Sequence, residues 1–352
     1  MIRVLVVDDS AFIRKVLADL LKTDSELEVV GEAKDGVEAV QMSLSLTPDV
    51  IALDYEMPRM NGIDALKEIM KKRPTPVVMV SSYTKEGARV TLQALEEGAV
   101  DFISKDIEKG TFEIFRKKEE IISKIKSAAR ARFVKRLTPS PTPSITQPSR
   151  VVSSTTSAQA QLYTQGVNKV VVIGASTGGP QAVSDLLVML RKDLPSAFLI
   201  VIHMPAVFTA TFAERLAEKT GLKVEEAKDG DILRNGVFFV APGGVHTSVS
   251  AGGVLRVSPQ PSNTIWRPSI DIAMTTCSKI FGPKCIGVIL TGMGNDGTEG
   301  MKAIKQAGGK TIAQDEETSV VYGMPKSVVE ANAVDVVSDL HSIPNVIQRF
   351  IC

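Results

Sequence analysis

Residues 2–10 read Ile2-Arg3-Val4-Leu5-Val6-Val7-Asp8-Asp9-Ser10. A run of mostly β-branched apolar residues stops at two carboxylates and a serine. β-Branched residues favour a pleated strand, and a short apolar run bounded by polar turn formers fits a strand buried on both faces. From Ser10 to Lys22 the period changes. Phe12, Ile13, Val16, Leu17, Leu20 and Leu21 recur on one face of a helix. That is one βα unit. Four more follow, with strands expected at Leu27–Gly31, Asp49–Leu53, Pro76–Val80 and Val100–Ile103. Five such units predict a doubly wound parallel sheet with its chemistry at the carboxyl ends of the strands.

At that edge the sequence sets Asp8 and Asp9 after the first strand, Asp54 after the third and Lys105 after the fifth. Three converging carboxylates repel one another unless they share a cation, and hard oxygen ligands suit Mg²⁺. A carboxylate beside Mg²⁺ and a lysine can accept a phosphoryl group, because the cations neutralise the transferred charge. The competing reading makes Asp8-Asp9-Ser10 a helix cap and nothing more. Val6-Val7-Asp8-Asp9-Ser10, Leu53-Asp54-Tyr55-Glu56-Met57-Pro58, Val80-Ser81-Ser82 and Ser104-Lys105 together resemble a two-component receiver domain over residues 1 to about 125. The resemblance implies a flavodoxin-like (βα)5 fold with Asp54 as phospho-acceptor. It also implies Mg²⁺ on Asp8, Asp9, Asp54 and the Glu56 carbonyl, with Ser81, Phe102 and Lys105 as switch residues. Asp106 departs from the family's usual proline after the lysine.

Composition then changes. From Thr138 to Ser149, eleven of twelve residues are Ser, Thr, Pro or Gln. Such a segment cannot bury enough apolar surface to offset its conformational entropy. Residues 138–167 therefore read as a flexible linker between an N-terminal domain at 1–137 and a C-terminal domain at 168–352. The second domain repeats the αβ rhythm. Its expected strands are Val170–Ile173, Ala197–Ile202, Val237–Val240, Ile286–Leu290 and Lys310–Ala313. Its helical patterns include Pro180–Leu190, Thr209–Lys219, Ile270–Lys279 and Gly297–Gln306. This too predicts a doubly wound α/β domain.

Its first strand runs into Gly174-Ala175-Ser176-Thr177-Gly178-Gly179-Pro180. A G-x-S-x-G pattern between strand and helix presents a nucleophilic serine. The same glycines can instead cradle a phosphate on free N–H groups, although the spacing is neither GxGxxG nor a P-loop. A serine needs a base, and the chain has three histidines. His203 ends an apolar strand at the same sheet edge as Ser176. His246 lies in a Pro-Gly-Gly loop that can line the cleft, and His341 reads as a surface residue. An orienting carboxylate is available at Asp296, in Thr291-Gly292-Met293-Gly294-Asn295-Asp296-Gly297, which is alternatively a helix N-cap. The order Ser, His, Asp differs from the α/β-hydrolase order.

The second half resembles the CheB methylesterase family. The resemblance rests on the Ser176 loop, His203-Met204-Pro205, Ala241-Pro242-Gly243-Gly244-Val245-His246, Arg267-Pro268-Ser269-Ile270-Asp271, the Asp296 loop and Gly323-Met324-Pro325. It implies Ser176 as nucleophile, His203 as base and Asp296 as orienter, with the Met293 backbone and Thr177 at the oxyanion. It also implies hydrolysis of glutamyl methyl esters on chemoreceptors, and deamidation of receptor glutamines by the same acyl-enzyme route. A chemotaxis histidine kinase would supply the phosphoryl group, and the esterase chemistry would need no cofactor. A switch domain joined to a catalytic domain by a linker leads us to expect the unphosphorylated receiver to lie over the cleft.

Charge and composition narrow the alternatives. Lysine plus arginine number 41 and aspartate plus glutamate 40, for a net charge of +1. That balance argues against nucleic-acid binding. The one basic stretch, Arg116–Arg136, reads as a solvated helix face. A DNA-binding output would need a helix-turn-helix after the linker, and no such pattern is read. Three scattered cysteines point to a reducing cytoplasm, and no apolar run reaches the ~18 residues of a membrane span. Trp266 reads as packing or as a substrate platform.

Overall fold

The structure, a computed structural model, describes residues 1–105, 118–131 and 166–352. Asp106, the basic tail after residue 131 and nearly all of the expected linker lie outside the described residues. The chain forms two α/β domains, each built on a parallel sheet.

In the N-terminal domain, β1 (Ile2–Val7), β2 (Leu27–Ala33), β3 (Val50–Asp54), β4 (Val77–Ser82) and β5 (Asp101–Lys105) pair in the order β2-β1-β3-β4-β5. The helices between them are α1 (Ala11–Leu21), α2 (Gly36–Leu46), α3 (Gly62–Lys72) and α4 (Lys85–Glu96). α5 (Lys118–Ala129) packs Ile121, Ile125 and Ala128 into the core below the sheet. Ser10 caps α1 by accepting the Ile13 N–H at 3.4 Å. The cap thus belongs to the serine and leaves the Asp54 neighbours Asp8 and Asp9 to other work. Chain order reverses between β1 and β3, and a crevice opens at the carboxyl ends of strands at such a switch point.

In the C-terminal domain, β6 (Lys169–Ala175), β7 (Ser196–Ile202), β8 (Lys223–Glu226), β9 (Val237–Val240), β12 (Cys285–Ile289), β13 (Lys310–Gln314) and β14 (Val336–Ser338) pair in the order β14-β13-β12-β6-β7-β9-β8. β10 (His246–Ser250) and β11 (Val254–Ser258) form a separate antiparallel hairpin. The helices are α6 (Gly179–Met189), α7 (Ala206–Thr220), α8 (Ile270–Phe281), α9 (Thr298–Gln306), α10 (Met324–Glu330) and α11 (Ile343–Ile351). β6 and β7 are buried along almost their whole length, as expected for a parallel sheet covered on both faces. Here the reversal lies at β6, flanked by β7 and β12.

The two domains pack on each other. α4 lies against α6 and α7, and Glu96 of α4 pairs with Arg215 of α7. Phe102 of β5 stacks on Phe208 of α7 with ring centroids 4.3 Å apart, a contact that contributes about 0.5–1.5 kcal/mol beyond its buried area. One continuous apolar core therefore runs from the first sheet through these rings into the second.

Candidate active site

β6 ends at Ala175, and Ser176 starts the turn into α6. The turn is tight because Gly178 takes φ +74°, where side chains are strained. The Ser176 N–H donates to the Thr291 carbonyl at 3.1 Å, which ties the loop to the end of β12. A Cβ placed on Gly292 would stand 2.8 Å from the Ser176 Cβ, so only glycine lets the two loops approach this closely. Thr291 is the hub. Its hydroxyl donates to the Thr177 carbonyl at 3.0 Å and accepts the Val321 N–H at 2.9 Å, while its own N–H donates to the Gln314 side chain at 2.7 Å.

His203 follows β7, and its backbone N–H donates to the Ala175 carbonyl at 3.2 Å. Its imidazole Nε2 lies 2.8 Å from Asp296 Oδ2. Nδ1 is buried, and no described residue hydrogen-bonds to it. The ring of Trp266 covers the imidazole in a parallel stack, with centroids 4.6 Å apart and planes 4° from parallel.

Asp296 does not cap its own helix. Gly297 is the N-cap of α9, with no side-chain bond. The Asp296 carboxylate reaches across to the start of α8, where it accepts N–H groups from Ile270 at 2.8 Å and Asp271 at 2.9 Å, and the Ser269 hydroxyl at 3.1 Å. Burial pushes this carboxyl up, but the His203 bond and charge and the α8 amides outweigh it and hold it below the ordinary range. An anion at a helix N-terminus is favoured by the free amides there. The carboxylate is thereby fixed and kept charged opposite the imidazole. Asp271, next in sequence to Ile270, is raised to about 6 by burial against its bond from the Gly300 N–H.

Ser176, His203 and Asp296 thus come from the ends of three adjacent strands, β6, β7 and β12. His246 stands apart from them. It is buried, with Nε2 2.9 Å from the Thr264 hydroxyl and 3.1 Å from the Pro261 carbonyl, while Nδ1 accepts the Ser269 N–H at 3.2 Å. Burial lowers its pKa, and its hydrogen bonds tie the segment 259–269 to the hairpin. His341 is exposed. Ser269 lay outside the expected site, and Trp266, read as packing or as a substrate platform, stacks on the imidazole. Ser269 carried one signal, a serine directly before an apolar helical run.

The first domain packs beside this site, against Thr177 and Met293. Asp101 of β5 accepts the Thr177 hydroxyl at 2.6 Å. Ser123 and Ser127 of α5 both donate to the Met293 sulfur at 2.8 Å. Lys124, between them, bonds the Phe102 carbonyl at 2.8 Å and pairs with Asp101 at 3.3 Å. Burial lowers the Lys124 pKa, but Asp101 and Glu120 outweigh it and raise the group above its ordinary value. The unphosphorylated receiver was expected over the cleft; the contacts found are with the serine loop at Thr177 and with Met293. Asp101 was not anticipated, although a carboxylate inside a buried strand was the signal.

At the opposite end of β5, Lys105 Nζ lies 2.8 Å from Asp54 Oδ1 and 2.5 Å from Asp8 Oδ2. Ligand atoms of Asp8, Asp9 and Asp54 lie within 4.8 Å of one another. Burial raises Asp54 to about 6; Lys105 opposes the shift and Asp8 adds to it. A cavity of about 300 Å³ opens here, lined by these groups with Glu56, Ser81 and Phe12. The Ser81 hydroxyl is turned to the Gly87 carbonyl at the start of α4, 3.1 Å away. Three carboxylates around one ammonium carry excess negative charge, and that donor set fits a hard divalent cation.

Two family models match the chain. The CheB methylesterase model covers residues 171–347 and the response regulator receiver domain model residues 4–114. The chain belongs to the CheB methylesterase family. A protein-glutamate methylesterase/protein-glutamine glutaminase of Pyrococcus abyssi is 44% identical over 99% of this chain and 93% of its own length. A protein of the same description from Symbiobacterium thermophilum is 43% identical over 99% and 96%. Among solved structures, the CheB methylesterase catalytic domain of Thermotoga maritima is 40% identical. It covers 51% of this chain and 97% of its own, with a TM-score of 0.50. Among the described residues no helix is long and apolar enough to cross a membrane.

Proposed function

We propose that this CheB family member is a phosphorylation-gated serine esterase. Its substrates are glutamyl methyl esters on methyl-accepting chemoreceptors, and receptor glutamines as a second substrate. The observation that carries the reading is the Asp296–His203 bond of 2.8 Å at strand ends that flank Ser176. Ser176 Oγ attacks the ester carbonyl and its proton passes to His203 Nδ1, the ring nitrogen that Asp296 leaves unbonded. Asp296 holds the Nε2–H and stabilises the imidazolium. Backbone donors at Met293 and Thr177 face the oxyanion. His203 returns the proton to the leaving methoxide, and methanol departs. Water then attacks the glutamyl-enzyme with His203 again as base, and glutamate and free Ser176 result. For glutamine the leaving group is ammonia.

The domains of the proposal are a receiver at 1–137, a linker at 138–167 and the esterase at 168–352. Asp54 accepts the phosphoryl group from a chemotaxis histidine kinase. Asp8, Asp9, Asp54 and the Glu56 carbonyl would hold Mg²⁺, which when bound neutralises charge at the phosphoryl centre. Lys105 pairs with the phosphoryl oxygens, Ser81 turns toward them, and Phe102 moves with β5. That shifts the population from the closed arrangement to an open one. Receptor methylation sites face the cytoplasm, and the protein acts there without entering nucleic acid or membrane. Ser176→Ala is expected to abolish methanol release from a methylated receptor fragment; retained release would remove the serine from the mechanism.

A further inference from the structure

We propose that Trp266, the chain's single tryptophan, is a positioning residue that holds the His203 imidazole in its reactive plane. The proposal rests on His203 being the base of the esterase. One hydrogen bond, Nε2 to Asp296, anchors the ring at one point. Nδ1 has no hydrogen-bond partner among the described residues. A ring held at one atom can still tilt about that bond, and tilting swings the Nδ1 lone pair away from the serine. The indole face, 4.6 Å away and within 4° of parallel, blocks that tilt.

The indole is itself held. Trp266 sits in the segment 259–269, which His246 ties down through Pro261, Thr264 and Ser269. The Arg267 carbonyl accepts the Gly244 N–H at 3.2 Å. The indole also meets the turn at Gly294, whose φ is +85°. A Cβ there would stand 3.4 Å from Trp266 Cζ2, so the indole closes against backbone with no side chain between. Ser269, the last residue of the segment, also bonds Asp296. The two constraints on the imidazole, the carboxylate at its Nε2 edge and the indole on its face, therefore hang on one strap. When His203 takes the serine proton, the new cation faces a π system, which favours the charged ring. Both effects act on proton transfer rather than on substrate binding.

The test is steady-state methanol release from a methylated receptor fragment, with Mg²⁺ and a small phosphoryl donor present throughout. Wild type, Ser176→Ala, Trp266→Leu and Trp266→Phe are compared, and circular dichroism reports the fold. Misplacing a reacting group by about 1 Å can cost ~100-fold. Trp266→Leu is expected to lower kcat by at least about tenfold with KM nearly unchanged, and Trp266→Phe to recover most of it. In wild type, the ring-proton NMR signal of one histidine of the three is expected to lie upfield, and Trp266→Leu should release that signal alone. An unchanged kcat, or a raised KM at unchanged kcat, would overturn the proposal; the latter would make Trp266 a substrate contact. No difference between the Phe and Leu variants would also overturn it. Should Trp266→Leu unfold, the Phe variant and the wild-type signal decide. Activity retained in Ser176→Ala would instead defeat the triad reading, a result distinct from all of these.

Discussion

The Asp101 carboxylate accepts a 2.6 Å hydrogen bond from the hydroxyl of Thr177, the residue after Ser176. Asp101 opens β5 and Lys105 closes it. One strand thus touches the serine loop at its first residue and the Asp54 pocket at its last. The rise of a strand is ~3.3 Å per residue, so the two contacts stand only about 13 Å apart on a stiff element. Lys105, which meets Asp54, shares this strand with Asp101 and Phe102, which meet the second domain. While the domains pack together, the Asp101 carboxylate holds the hydroxyl of the residue beside Ser176.

Removing that group is expected to loosen the closed form. A hydrogen bond to a charged group contributes ~1.5–3 kcal/mol, and 1.4 kcal/mol is a factor of about ten. Asp101→Ala should therefore raise methanol release without a phosphoryl donor by about tenfold, with little effect on the phosphorylated rate. An unchanged basal rate would show that this bond does not hold the domains.

Asp296→Asn keeps the shape but loses the charge and the acceptor that fixes the His203 tautomer. By analogy with the Asp→Asn change in serine proteases, kcat should fall by about 10³–10⁴. The same substitution has a stability signature. In the folded chain the Asp296 carboxyl is held below its ordinary value of 3.8. It therefore stabilises the fold at pH above 3.8 and loses that contribution as pH falls through the depressed value. Urea unfolding across the acid range should show a shallower loss of stability in Asp296→Asn than in wild type. Parallel curves would mean that the α8 amides do not favour the charged carboxylate.

Gly292 is a steric test of the site. An alanine Cβ there would stand 2.4 Å from the Met324 sulfur and 2.8 Å from the Ser176 Cβ. Methionine can swing away, but the serine loop is tied to the adjacent Thr291 through the Ser176 N–H and the Thr177 carbonyl. Gly292→Ala should displace Ser176 and lower kcat by up to ~100-fold, while the far-ultraviolet circular dichroism stays that of the wild type. Full activity would show that the serine loop gives way freely.

Most of the architecture was legible in the sequence because parallel strands buried on both faces are continuous apolar runs. Every expected strand is present, with ends shifted by up to two residues. Several of the elements that escaped have weak local signals. β8 reads Lys-Val-Glu-Glu on a sheet edge, and β14 is three residues long. The hairpin β10–β11 lies outside the main sheets, where no βα rhythm announces it. The placement of Ser176, His203 and Asp296 at one sheet edge was legible because strand ends collect there. The partners of Asp296 were not: its capping of α8 joins residues 25 apart and more. Nor was the Asp101–Thr177 bond, across 76 residues. It exists only because two domains dock, and docking leaves no periodicity in the chain.

The central claim is that the receiver gates the esterase through Asp54. The direct measurement is the rate of methanol release from a methylated receptor fragment by the full chain, with and without Mg²⁺ and a small phosphoryl donor, in wild type and in Asp54→Asn. The account predicts a rise of at least about tenfold in wild type, the scale set by losing one charged interdomain hydrogen bond, and none in Asp54→Asn. An equal rise in both, or no rise in wild type, would contradict it.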